Sequence, residues 1–474
     1  MAAPEPFRIH VSDDDLTDLR QRLQRARVPD QVGAGQSDPN GAWAYGTDKA
    51  ALQDYVSHWL TKFDWRQQEA KLNAVPQFTL QVNGLKTHFI HQRSKDTAAI
   101  PLLLVHGWPG SFVEFMKLLP LLKKFHVVAP SIPGYGFSEA PKEPGASVVF
   151  MAEQLTELMR LLGYTHYVAQ GGDWGSIITT QVAGRYPERC VALHLNMCAA
   201  IPSTISDFVQ VALTMPSWSK EEWDAVRRTQ YFMKYETGYQ KIQGTKPQTL
   251  GYGLNDSPVG LLAWILEKFQ SWSDSHGQRP DAPGGSGLTM DEILTNVMIY
   301  WSSQSITSSC RLYYETLGLH PSHKEPLQLQ PGGLLGGKGE VFPRDFQPPR
   351  RRDGSRSRLL DCFGRSFRSY VAVPTGVIWS KAEIIKVPRK VAELRYNIKH
   401  WYAPPKGGHF FAFEQPELMA KDLNHFFFEV IDFPTCVQTA PARSSTSQMP
   451  LLGATAMVAL LVAAVALRLR RSRL

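Results

Sequence analysis

The chain has 474 residues, 43% hydrophobic and 20% charged, which excludes a disordered polymer and leaves room for one large domain with additions. Its five cysteines (Cys190, Cys198, Cys310, Cys362, Cys436) are scattered, odd in number and without a C-x-x-C pair, so neither a disulfide framework nor a zinc site is expected. The net charge of +8 sits in two places: eight arginines against three aspartates over 344–368, and four arginines in the last seven residues. The remainder is near neutral and offers no basic face to nucleic acid.

In chain order, 1–76 reads as an N-terminal helical extension. Residues 11–28 predict an amphipathic helix, with Ser12 as N-cap, Asp13 to Asp15 in the first turn, and Leu16, Leu19 and Leu23 on one face. A second helical stretch covers 49–72. The first part of an α/β core spans 77–204. It opens with two strands joined at Asn83-Gly84 and continues with the apolar run Pro101–Val105, the pattern of a strand covered on both faces. Then follow a helix at 111–124, a strand at 125–129, a helix at 149–163, a strand at 166–171 and a helix after Trp174. This alternation implies parallel βαβ units.

Residues 205–318 turn helical and aromatic-rich, as a lid inserted over the sheet. Segment 319–369, rich in Gly, Pro and Arg, reads as a disordered insert. The second part of the core spans 370–434, with strands at 370–379 and 394–402, and a Ser/Thr-rich linker covers 435–448. The N-terminus shows no secretory signal pattern. From Leu451 to Leu467 no charge occurs, a run slightly short of the roughly 20 residues that cross a bilayer. Segment 449–474 therefore predicts a membrane tail anchor, the other reading being a buried or interfacial helix. Ser472-Arg473-Leu474 resembles a peroxisomal address.

The chemistry centres on Gly171-Gly172-Asp173-Trp174-Gly175, a strand-to-helix turn that presents its middle side chain above a sheet, where most α/β-hydrolases carry serine. An acidic N-cap is the simpler reading of Asp173 taken alone. The context points further. His106-Gly107-Trp108-Pro109-Gly110 follows the buried strand, where this architecture supplies one oxyanion N–H, the other coming from the residue after the nucleophile. That assigns the backbone N–H groups of Trp108 and Trp174; His106 itself reads as structural. His409, in Gly407-Gly408-His409-Phe410, lies in the place of the base. Glu383, just after the 370–379 strand, is the candidate acid that would orient it. Asp361 is a weaker rival.

HGWPG, SIPGYGFSE (131–139), GGDWGS (171–176) and GGHFFAFEQPEL (407–418) together resemble the microsomal-type epoxide hydrolases, over roughly 6–318 and 370–431. RVPDQ (27–31) is similar to that family's amino-terminal extension. The resemblance implies an α/β-hydrolase fold with a helical lid, and two lid tyrosines that donate to the epoxide oxygen. They match Tyr239 and Tyr313, with Tyr314 the alternative to the latter. It also implies an apolar epoxide and water as partners, a vicinal diol as product, Asp173 as nucleophile, and no metal or organic cofactor. A haloalkane dehalogenase, or a binding protein impaired by the 319–369 insert, are the alternatives. The chain departs from the family in that insert and in placing its apolar anchor at the C-terminus. A tail anchor would leave the catalytic domain in the cytosol, at the endoplasmic reticulum by family resemblance, or at a mitochondrial or peroxisomal membrane.

Overall fold

The computed structural model describes residues 3–33, 41–200, 202, 205–317, 370–431 and 433. Among them β1 (Glu5–Pro6), β2 (Gln77–Val82), β3 (Leu85–Gln92), β4 (Ile100–Val105), β5 (Phe125–Pro130), β6 (Tyr167–Gly171), β7 (Cys190–Leu195), β8 (Val371–Ile378) and β9 (Tyr396–Tyr402) form one mixed sheet. The order is β1-β2-β3-β5-β4-β6-β7-β8-β9. Pairings from β1 to β3, and β3 with β5, are antiparallel; those from β5 through β4 to β9 are parallel. Asn83 (φ +45°) and Gly84 (φ +85°) make the hairpin turn their dipeptide predicts, since both adopt the left-handed backbone it needs.

Helices α1 (Asp13–Gln24), α2 (Lys49–Thr61) and α3 (Trp65–Leu72) form the N-terminal extension. It is not wholly helical, because β1 joins the sheet through Glu5 opposite Thr79. The single stretch expected at 49–72 divides where the Asp64 side chain caps α3 through the Gln67 N–H (3.2 Å). α4 (Val148–Leu161) and α5 (Asp173–Arg185) follow the first core strands. The helix expected over 111–124 is instead two short 3-10 turns, Phe112–Phe115 and Leu119–Leu121, the second containing Pro120, which cannot donate an N–H.

Between β7 and β8 lie α6 (Ile205–Thr214), α7 (Lys220–Tyr231), α8 (Gly238–Gln243), α9 (Pro247–Asp256), α10 (Pro258–Trp272), α11 (Met290–Ser303) and α12 (Ile306–Leu317). After β8 come α13 (Arg389–Ala392), α14 (Phe411–Glu414) and α15 (Pro416–His425). The extension braces the inserted helices: Tyr55 donates to Asp281 (2.9 Å), His58 pairs with Asp291 (2.6 Å), and Thr47 donates to the Ala263 carbonyl (2.6 Å).

The 319–369 insert with Asp361, the 435–448 linker and the 449–474 segment lie outside the described residues. Among the described residues no helix is long and apolar enough to cross a membrane, and the expected C-terminal membrane helix lies outside them.

Candidate active site

Strand register assembles the site. Val105 pairs with Gly171, so the loops after β4 and β6 leave the sheet side by side. Leu195 pairs with Val377 and Ile378 with Tyr402, which brings the loops after β8 and β9 to the same edge, where open α/β sheets carry their sites.

Asp173 has φ +49°, a strained conformation for a side chain with a Cβ, and the glycines around it explain how it is tolerated. A Cβ on Gly175 would overlap the Val105 carbonyl, one on Gly171 would meet the Gly175 backbone, and one on Gly107 would strike Asp173 itself. The Trp108 N–H donates to Asp173 Oδ1 (2.8 Å), while His409 Nε2 lies 3.2 Å from Oδ2. His409 Nδ1 donates to Glu383 Oε1 (2.6 Å), an oxygen that also accepts from the Ile384 N–H (2.8 Å). The Trp174 N–H belongs to the first turn of α5, where backbone donors have no intrahelical acceptor. His106 stands apart: Nδ1 donates to the Gly107 carbonyl (3.0 Å) and Nε2 accepts from Ile132 (3.2 Å). With burial pushing it down to about 4, it is a neutral structural residue.

The two tyrosines face this group from α8 and α12. Tyr239 stacks on Trp108 (centroids 5.3 Å apart), and Tyr313 stands edge-on to Trp174 (4.8 Å) and near Tyr239 (5.7 Å). Tyr313 is buried beside these rings, whereas Tyr314 is only partly buried. Burial first, and the Asp173 charge after it, hold Tyr239 well above the usual phenol range; burial and Tyr239 do the same for Tyr313. Both are therefore proton carriers at neutral pH. For His409, burial opposes charging but is outweighed by Glu383 and Asp173, which hold the imidazole well above its ordinary value.

The described residues contain no cluster of metal-ligating side chains. The chain matches the family model for the epoxide hydrolase N terminus over residues 4–115 and that for the alpha/beta hydrolase fold over 100–416. It is 35% identical to Epoxide hydrolase 1 of Sus scrofa, covering 89% of this chain and 88% of that one. The chain belongs to the epoxide hydrolase family. A putative epoxide hydrolase of Stigmatella aurantiaca is 38% identical, over 89% of this chain and 84% of its own length. Among solved structures, juvenile hormone epoxide hydrolase from Bombyx mori superposes with a TM-score of 0.73 at 31% identity, covering 89% of this chain and 93% of that one. Aspergillus niger epoxide hydrolase gives 0.71 at 29%, covering 91% and 97%. The reaction is thus epoxide hydrolysis rather than dehalogenation.

Several residues of this epoxide hydrolase site escaped the sequence reading. Trp272 meets His409 edge-on (5.2 Å), and its carbonyl accepts the His409 N–H (2.9 Å). Glu414 grips the backbone on both sides of His409, accepting from the N–H groups of Gly408 (3.0 Å) and Phe410 (3.1 Å), and also from that of Asp274 (2.8 Å). Glu114 is buried and lines the same cavity as Asp173. The signal was present for both carboxylates, because each interrupts an aromatic run: Phe112-Val113-Glu114-Phe115 and Phe411-Ala412-Phe413-Glu414.

Proposed function

We propose that this epoxide hydrolase converts apolar epoxides to vicinal diols through an ester on Asp173. The observation that carries the reading is the position of Asp173, with Trp108 N–H on one carboxylate oxygen and the Glu383-held His409 on the other. A carboxylate attacks without prior deprotonation, since carboxyls ionise near pH 4. As it opens the strained ring, Tyr239 and Tyr313 donate to the epoxide oxygen and one supplies the proton. Esterification removes the Asp173 charge. His409 then loses one of the two charges that hold its proton, and Nε2 becomes a base able to deprotonate water. The resulting oxyanion is held by the Trp108 and Trp174 N–H groups. Collapse releases the diol, and the water's second proton, left on the Asp173 carboxyl, returns to the tyrosinate, which restores both residues.

The supporting sequence pattern for location is the uncharged run Leu451–Leu467 followed by four arginines, which we read as a tail anchor holding the enzyme at a membrane, the endoplasmic reticulum first. Purified protein with styrene oxide is expected to yield phenylethanediol, and Asp173→Ala to yield none. A folded parent protein that makes no diol would favour a binding role. A chain ending at Thr446 should leave the membrane fraction; unchanged distribution would remove the anchor.

A further inference from the structure

A narrow cavity of about 10 Å³, room for about one water molecule, touches Gly107, Glu114, Gln170, Asp173, Asn196 and His409. Two of its polar side chains are already engaged: Gln170 donates to Asn196 Oδ1 (2.8 Å), and Asn196 donates to the His409 carbonyl (3.3 Å). Glu114 is not. It is only 9% exposed, and among the described residues neither carboxyl oxygen has a hydrogen-bond partner. Its approach depends on Gly110, because a Cβ there would overlap Glu114 Oε1. The last glycine of HGWPG therefore makes room for this carboxyl beside the nucleophile. A buried carboxyl without a protein partner, facing a water-sized space shared with the nucleophile and the base, points to a water ligand.

We propose that this cavity seats the hydrolytic water and that Glu114 positions it, accepting one O–H while His409 Nε2 takes the other. A lone pair then faces Asp173 Cγ. The inference rests on the aspartyl-ester reading. In the step, the water oxygen bonds to Cγ, its proton passes to His409, and the C=O pair moves onto the oxyanion. Collapse breaks the ester C–O bond, and the departing alkoxide takes the proton from His409. Burial pushes the Glu114 carboxyl up to about 8 against the pull of His409, so at neutral pH it is mostly an uncharged acceptor. It neither competes for the proton nor repels the oxyanion. Glu114 is a positioning residue, acting through the water.

The test compares the parent, Glu114→Gln and Glu114→Ala with styrene oxide. Tryptophan fluorescence follows ester formation, diol release follows turnover, and intact mass detects the ester. Glu114→Ala should form ester at the parental rate and hydrolyse it about 100-fold more slowly, as expected for a misplaced reactant. kcat then falls while kcat/KM stays level, and ester accumulates. Glu114→Gln, nearly isosteric, should fold and lie between the two. Equal losses in kcat and kcat/KM, or parental hydrolysis in both variants, would overturn the assignment. His409→Gln separates the premises. If it accumulates ester while Glu114→Ala hydrolyses normally, the role of Glu114 is wrong and the ester stands. If it accumulates none, the ester reading falls and takes Glu114 with it.

Discussion

Replacing Glu383 by glutamine tests how the base is held. The carboxylate lies 2.6 Å from His409 Nδ1, with Glu383 2% and His409 3% exposed, so solvent does not screen the pair. A hydrogen bond to a charged partner contributes about 1.5–3 kcal/mol, which at 1.4 kcal/mol per tenfold is a loss of about 10- to 150-fold. The loss should fall on ester hydrolysis, where the imidazolium forms, and leave ring opening nearly intact. A second signature follows from charge. Burial alone would lower the His409 pKa, and Glu383 is the strongest influence raising it. Without that charge the pKa drops, and the acid limb of the kcat–pH profile moves to lower pH. Stopped-flow tryptophan fluorescence with styrene oxide, across pH 5 to 9, separates the two steps. Parental hydrolysis with an unmoved acid limb would refute the reasoning.

Tyr239→Phe and Tyr313→Phe should each slow ester formation by about 100-fold or more, the usual cost of one donor to a developing oxyanion, without slowing hydrolysis of ester already formed. An unchanged burst rate in both would remove them from the chemistry. Glu414→Ala leaves three buried N–H donors unpaired, at about 1–3 kcal/mol each, so urea denaturation should show a loss of about 3 kcal/mol or more. A loss under about 1 kcal/mol would show that the base loop does not depend on it. The Glu114 carboxyl, raised from the ordinary 4.5 to about 8, binds its proton more tightly folded than unfolded. Its stabilising contribution is thus complete below about pH 4.5 and lost as pH rises through about 8. Melting temperature should therefore fall from pH 6 to pH 8 less steeply in Glu114→Gln than in the parent; identical slopes would contradict the shift.

What could be read from sequence was what depends on local chemistry. Asn83-Gly84 named its hairpin, Pro101–Val105 its buried strand, and Ser12 its helix cap. Asp173 was recognisable because only small neighbours permit its backbone conformation, and those glycines are written beside it. His409 and Glu383 were placed by chain order after strands. The short turns at 112–121 were missed because apolar residues there satisfy a helical pattern, while packing and Pro120 decide the geometry. β1 is two residues long, too short for any periodicity, and forms only by pairing with β2. Trp272 and Glu114 were missed because their roles arise from contacts between segments far apart in the chain: Trp272 lies 137 positions from His409 and meets it from the end of α10. Tyr313 was preferred to its neighbour Tyr314 only by family resemblance, and helix rotation sets which one meets Trp174.

The central claim is the ester on Asp173, and oxygen labelling tests it directly. One turnover of excess enzyme with styrene oxide in ¹⁸O-water, followed by proteolysis and mass analysis, locates the solvent oxygen. The account predicts one labelled oxygen in the peptide carrying Asp173 and an unlabelled diol, because water attacks the ester carbonyl and the diol keeps the oxygen Asp173 gave it. Label in the diol with none at Asp173 would mean that water opens the epoxide itself, and would contradict the account.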